Sequence, residues 1–444
     1  MNTDFKPVLA MYDVRGKQSF IYRSKHIKEI IGGSEIIRSL FEKELSYAAQ
    51  KYRNKLAEDN GKKLTTEDEK TTALFNYKDA FGAGTSQSRF SYDEFTKRMR
   101  SSNEQFIGEI VYDGGGNFLV LFMNEEVCRE VTYLFSRCVI EKYSSLRVAC
   151  TFIDELNPDR FHGDAGEPGD YEKLYDKHRF TENEQITAVP YGTLPIVRAD
   201  YLTSMPLIIP KETVFGSSLE VTTESAAKYQ CYYSIKDRNN VPDEKVLDKM
   251  VTQKGVESLL AVIYFDGNNM GANVQRQLTG KTKYDECVNA LREFSEQIQK
   301  VFVDDRISTL RGKSDGGNTK KRTTRIVIGA GDEITVICNA RDAYGIASEY
   351  LKALPDDFTS CAGIAVFHSH APYSEAYRIA EECCTSGKSF MRNHGISDLC
   401  MMDFHYCQGA IGVSLDQIRE DEDMADNSRP CLLYGKKQSC PKNI

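Results

Sequence analysis

This chain of 444 residues predicts an α+β fold made of two ferredoxin-like units, and three observations carry that expectation. The order strand, helix, hairpin, helix, strand occurs twice along the sequence. Each copy opens with a short apolar run that stops abruptly at an aspartate. Each hairpin joins two strand-like runs through a turn of small residues. A sheet of antiparallel or mixed strands with helices on one face satisfies all three.

The first copy opens with Pro7-Val-Leu-Ala-Met-Tyr-Asp13 and continues with helical periodicity over Ser34–Leu45. Its hairpin is Ile110–Phe122, followed by an amphipathic helix at about 125–141 and a strand at Leu146–Phe152. In the second copy the strand Leu259-Leu-Ala-Val-Ile-Tyr-Phe-Asp266 leads to a helix at about 283–302 and a hairpin over 325–338. A helix at about 341–353, a strand at Cys361–Phe367 and a helix at about 373–386 complete it. The expected division is a first, non-catalytic domain over 1–153 with a polar insert at about 53–104, and a linker or middle region over 154–250. A second, catalytic domain over 251–410 and a tail over 411–444 follow.

Composition narrows the function classes. The net charge of −8 gives no global basic field for nucleic acid. Apolar runs are strand-sized, well short of a membrane span, and Met1-Asn-Thr-Asp-Phe-Lys lacks the features of a signal peptide. Thirteen scattered cysteines with no CxxC pair suit a reduced, cytoplasmic protein without a zinc ribbon, and Cys383 and Cys384 read as packing residues.

The chemistry concentrates in Ala330-Gly-Asp-Glu333. Gly331 lets a ligand approach the backbone, and two adjacent carboxylates point to a cation between them. Taken alone, Gly-Asp-Glu reads more simply as a solvated hairpin tip. Asp266 alters the balance. An acid at the carboxyl end of a buried central strand, beside the hairpin, brings three carboxylates to one sheet edge, where α/β sheets commonly bind ligands. Such a set suits Mg²⁺, which keeps water and phosphate among its ligands.

Superposing the hairpins aligns Asp332 and Glu333 with Gly116 and Asn117, and Asp266 with Asp13. Metal chemistry is therefore expected in the second copy alone. The first copy's turn offers backbone N–H groups to a phosphate, with Asp13 orienting it. Three further features stay open. The basic loop Arg311–Arg322 reads as a solvated loop or as a phosphate or RNA contact. His368 and His370 read as polar turn residues or as metal or base groups. His405 reads as structural.

Asp13-Val-Arg-Gly-Lys-Gln-Ser-Phe-Ile21, Ile31-Gly-Gly-Ser34, Tyr112-Asp-Gly-Gly-Gly-Asn-Phe118, Phe265-Asp-Gly-Asn-Asn-Met-Gly271, Gly329-Ala-Gly-Asp-Glu333, Ala376–Lys388 and Arg429-Pro430 together resemble a known family. It is the large polymerase-cyclase subunit of type III CRISPR effector complexes, within the palm-type nucleotidyl cyclases that include the GGDEF cyclases. The resemblance covers roughly 5–150 and 255–435. It implies two palm domains binding two nucleoside triphosphates, with one 3′-hydroxyl attacking the neighbouring α-phosphorus. It also implies a cyclic oligoadenylate or cyclic dinucleotide product, made with Mg²⁺ or Mn²⁺ from ATP or another NTP in antiviral defence.

Under that resemblance Asp266, Asp332 and Glu333 are catalytic metal ligands, and Lys388 is a point charge on the triphosphate. Asn269 and Gly331 contact the same nucleotide, while Gly32, Gly33, Ser34, Gly115, Gly116 and Asn117 shape the other pocket. The tetrad departs from the family's two glycines and two aspartates, and Glu333 is closer to the diguanylate cyclase pattern. With no His-Asp nuclease domain, cysteine cluster or helical C-terminal domain in this sequence, the expectation is a stand-alone relative, monomeric or homodimeric. Its partners are nucleoside triphosphates, with RNA or a defence effector protein as candidates and no membrane. A palm that senses nucleotides without turnover, or a recruited subunit of a type III complex, is the alternative.

Overall fold

The computed structural model describes residues 5–24, 26–59, 81–82, 89–100, 107–114, 117–163, 166–184, 196–201, 203–208, 220–239, 250–251, 257–311, 322–397, 399–407, 412–421 and 430–435. In chain order its strands are β1 (Val8–Arg15), β2 (Phe81–Gly82), β3 (Gly108–Gly114), β4 (Asn117–Phe122), β5 (Arg147–Ile153), β6 (Leu259–Gly267), β7 (Thr324–Ala330), β8 (Glu333–Asn339), β9 (Ser360–His368), β10 (Leu399–Tyr406) and β11 (Cys431–Gly435). The helices are α1 (Lys17–Ile21), α2 (Ile27–Arg38), α3 (Ser46–Asp59), α4 (Tyr92–Arg100), α5 (Glu125–Lys142), α6 (Asp170–Glu184), α7 (Thr223–Asn239), α8 (Met270–Leu278), α9 (Tyr284–Ile298), α10 (Ile307–Arg311), α11 (Ala340–Ala353), α12 (Tyr373–Asn393) and α13 (Leu415–Asp421).

Two compact units form, each around its own sheet. The first comprises 1–24, 32–233 and 273–296, and the second comprises 25–31, 234–272 and 297–444. The first sheet has the order β2-β3-β4-β1-β5 and the second β11-β10-β9-β6-β8-β7. Within each lies the same βαββαβ palm core, with the opening strand between the hairpin and the closing strand. The fold is α+β with two ferredoxin-like palms.

The repeat is exact in register. Val8 pairs with Phe122 as Ala261 pairs with Cys338, and Asp13 pairs with Asn117 as Asp266 pairs with Glu333. Both hairpins carry a bulge at the matching place, between Ile110 and Tyr112 and between Ile326 and Ile328. A bulge strengthens local twist and re-aims the strand that follows.

Neighbouring strand residues point to opposite faces, so the packing of adjacent residues shows what covers each side. Phe265 packs on Tyr350 of α11 at 4.0 Å between ring centroids, whereas Tyr264 meets Tyr377 of α12 edge-on at 5.6 Å. Helices therefore lie on both faces of the second sheet, where one face was expected. β9 and β10 are parallel, and such a pair needs a crossover, which α12 supplies.

The first unit is also covered twice. Tyr12 packs against Phe135, and Phe41 stacks on Phe118. Opposite them, Leu9, Met11, Leu119 and Leu121 share a buried cluster with Phe95 of α4, Leu174 of α6, and Tyr284, Val288 and Leu291 of α9. Thus α4, inside the segment expected to be a polar insert, and α6, inside the expected middle region, both contribute to this core. Arg322 at the end of the basic loop forms two hydrogen bonds to Glu349, while 312–321 lie outside the described residues.

Candidate functional site

The site grows out of the end of β6. Seven of its nine residues are buried, as a central strand requires, and the chain bends just after Gly267, at Asn268-Asn269. Asp266 has Cα partners on both sides, Glu333 on β8 and Cys361 on β9, and its carbonyl accepts a 2.9 Å hydrogen bond from Ser360 Oγ. Gly267 N donates to Asp332 O at 3.3 Å. A Cβ on Gly267 would lie 2.9 Å from the Asp332 Cβ, so glycine is what lets the strand end close on the hairpin turn. In that turn Gly331 takes φ +62°, and its N–H donates to Gln299 Oε1 at 3.1 Å.

Asp266 and Glu333 stand directly opposite one another on antiparallel strands, an arrangement that repels unless a cation intervenes. Lys388 of α12 supplies one. Its Nζ lies 2.6 Å from Asp266 Oδ2 and donates to Gly267 O at 2.8 Å. Burial works against the ammonium, but the Asp266 carboxylate outweighs it and holds the pKa above the ordinary lysine value. Tyr377, three helical turns before Lys388 and so on the same face, donates to Glu333 Oε1 at 3.4 Å. Burial first, then Glu333 and Asp266, push the Tyr264 phenol far above its usual range, so it stays protonated beneath the acids.

Beside the acids, Asn269 sits at positive φ and donates to Ser397 O at 3.2 Å. Its neighbour Asn268 is buried and ties the turn to Thr359 Oγ1 and Leu399 O, both at 3.1 Å. Asp266, Asn269, Gly331, Asp332, Glu333 and Lys388 thus all fall in the second unit, around one strand end. Sequence reasoning missed Gln299, Asn268 and Tyr377. The aromatic and amide spacing of α12 and of the turn held a signal only for Tyr377, which lies on the face that also carries Lys388.

The remaining predicted residues belong to the first unit. Asn117 opens β4 opposite Asp13, and Gly115 and Gly116 lie outside the described residues. Asp13 Oδ2 is 2.8 Å from Arg15 Nε and 3.8 Å from His178 Nε2, and His178 Nδ1 shares a 3.0 Å hydrogen bond with Thr151 Oγ1. Gly32 and Gly33 are buried in the middle of α2, with Ser34 half-buried beside them. A Cβ at Gly32 would meet Lys228 O at 1.9 Å, so this glycine admits the backbone of α7.

The second unit's strand end offers hard oxygen donors, the donor chemistry of Mg²⁺ or Mn²⁺. Among the described residues, no group of three or more His, Cys, Asp and Glu side chains is arranged to enclose a metal ion. His368 and His370 meet edge-on with ring centroids 5.2 Å apart at an exposed strand end, and His405 is buried in β10. The described cysteines are free thiols, and no described helix is long and apolar enough to cross a membrane.

No protein-family profile and no curated protein matches the chain. Solved structures match its fold. The apo Csm1-Csm4 cassette aligns with a TM-score of 0.52 at 12% identity, over 90% of this chain and 54% of the other. The same cassette in complex with AMPPNP gives 0.51 at 12% identity, again over 90% and 54%. The Csm1-Csm4 subcomplex of the type III-A CRISPR-Csm interference complex gives 0.50 at 12% identity, over 90% and 54%. This chain spans about half the length of the chains it matches, and at this identity the likeness is one of fold.

Proposed function

We propose that the second unit is the catalytic half of an Mg²⁺-dependent nucleotidyl cyclase that joins nucleoside triphosphates, ATP foremost, into a cyclic oligonucleotide. The observation that carries this reading is the registered pair Asp266–Glu333, with Asp332 beside it and Lys388 above it, set against the neutral Asn117 at the same register of the first unit. An acid pair at a strand end, beside a helix-borne cation, is equipped to hold a metal-bound triphosphate.

In the reaction a 3′-hydroxyl oxygen bonds to an α-phosphorus while the bond from that phosphorus to the bridging oxygen of the β-phosphate breaks. Pyrophosphate leaves with the electron pair, and the hydroxyl proton passes to a carboxylate or to water. Asp266 and Asp332 would hold the metal, with Glu333 as a further ligand directly or through water. When bound, Mg²⁺ would lower the pKa of the attacking hydroxyl and offset charge on the leaving group. Lys388 would neutralise the triphosphate, and Gln299 keeps the turn in the shape that presents Asp332. The rest is positioning. The setting would be antiviral defence, with RNA or an effector protein as partner, in view of the fold shared with Csm1-Csm4 assemblies.

A second reading has its own support. The 2.6 Å pair of Lys388 with Asp266 already partly neutralises the site, which suits a palm that binds nucleotide without turnover. One experiment separates the two: purified protein is incubated with each NTP and Mg²⁺, with and without RNA, and products are identified by mass spectrometry. A cyclic product with stoichiometric pyrophosphate is expected. Tight NTP binding with no pyrophosphate under any condition would leave the sensor.

A further inference from the structure

Asp266 and Lys388 make a contact that a metal at the same carboxylate cannot leave unchanged. We infer that Lys388 is a resident counter-cation, which a divalent ion displaces from Asp266, so that metal binding releases the ammonium towards the anionic ligand. This deepens the proposed function and rests on its assignment of the metal to the second unit's strand end.

The geometry carries the exchange. Asp266 Oδ2 is committed to Lys388 Nζ at 2.6 Å, a charge-assisted distance, and the same Nζ is held by Gly267 O. Ser360 Oγ fixes the backbone carbonyl of Asp266, and the strand has Cα partners on both sides, so the main chain that carries the carboxylate is held in place. A divalent ion and an ammonium on one carboxylate oxygen would repel each other over a few ångströms. The lysine is the part free to move, because its four-carbon stem swings without moving the helix. Its side chain is 25% exposed, so it has a path outward.

The first unit supplies the contrast. There Asp13 takes Arg15 from its own strand, two residues along, and a cation on so short a tether stays with its acid. In the second unit the cation comes from α12, a separate element. Metal alone therefore binds against the Lys388 ion pair, whereas a triphosphate bound with it takes up the ammonium that the metal displaces. The two bind cooperatively.

Calorimetric titration of Mn²⁺ alone tests this on the full chain. Lys388→Gln should bind Mn²⁺ about two- to fivefold more tightly than the wild type, the scale of one solvent-accessible ion pair. Equal or weaker binding by the variant overturns the exchange. A measurement on the wild type decides it where the variant does not fold. An activated ester should acetylate Lys388 faster with Mn²⁺ than without, read by peptide mass spectrometry, and a rate indifferent to Mn²⁺ overturns the exchange. If both measurements show exchange but no NTP is turned over, the inference stands and the cyclase reading falls. Turnover without exchange does the reverse.

Discussion

The two strand ends of this molecule share a backbone and differ in charge. In the first unit Asp13 faces Asn117 and is matched by Arg15, with His178 at 3.8 Å. In the second, Asp266 faces Glu333, next to Asp332, and a lysine from a helix stands over it. The helices are counterparts too. α6 follows β5 as α12 follows β9, and Tyr175 of α6 lies near Asn117 as Tyr377 of α12 meets Glu333. A few substitutions on one scaffold thus separate a strand end with one acid, matched from its own strand, from one that gathers three acids under a helix-borne lysine. The fold sets where ligands can sit, and the residues at two paired positions decide what sort.

The largest test of that asymmetry is to remove each acid in turn. Asp266→Asn should lower pyrophosphate release by about 10³-fold, the scale of losing a main electrostatic element of a site. Asp13→Asn should cost less than about tenfold, because its charge is matched locally by Arg15. Equal losses would break the comparison.

The next effect separates packing from pocket. Gly32→Ala drives a methyl into the Lys228 carbonyl and should destabilise the protein by about 1–3 kcal/mol, read as a lowered Tm, with the KM for NTP of the folded fraction unchanged. A raised KM at unchanged Tm would instead put this glycine at a nucleotide.

The smallest effect is a difference in pH response. In the first unit Glu224 is buried, which alone would raise its pKa, but Lys228 and Ser145 outweigh this and lower it. Its contribution is present above the ordinary carboxylate range and is lost as pH falls through the depressed value. Lys388 has a raised pKa, so its pair with Asp266 holds through neutrality and is lost as pH rises through a value above 10.5. Hydrogen exchange should therefore loosen α7 at the acid end and α12 at the alkaline end. No loosening of α12 at the alkaline end, or loosening of α7 there instead, would contradict the assignment.

Much of this was legible in the sequence, because the hairpin turns and apolar strands are local patterns and occur twice. The equivalence of Asn117 with Glu333 could be read by overlay, and the pairing register agrees with it. What escaped was long-range. In α6 the residues Tyr171, Leu174, Tyr175 and His178 recur at helical spacing, yet charged neighbours dilute the signal. Phe95 and Met99 do the same in α4. The periodicity of α9 announces an apolar face, but no pattern says that Tyr284, Val288 and Leu291 cover the first sheet and not the second. Gln299 acts through one hydrogen bond to a turn more than thirty residues away, a partnership that composition does not mark.

That placement of α9 has a consequence for how the chain is made. Residues 273–296 complete the first unit's core, although they follow the opening strand of the second palm. On the ribosome, the first sheet therefore waits with one apolar face incompletely covered until about two thirds of the 444 residues have been synthesised. During that interval α4 and α6 alone can close on Leu9, Met11, Leu119 and Leu121, and the part of that face left to α9 is where a chaperone would find its handle.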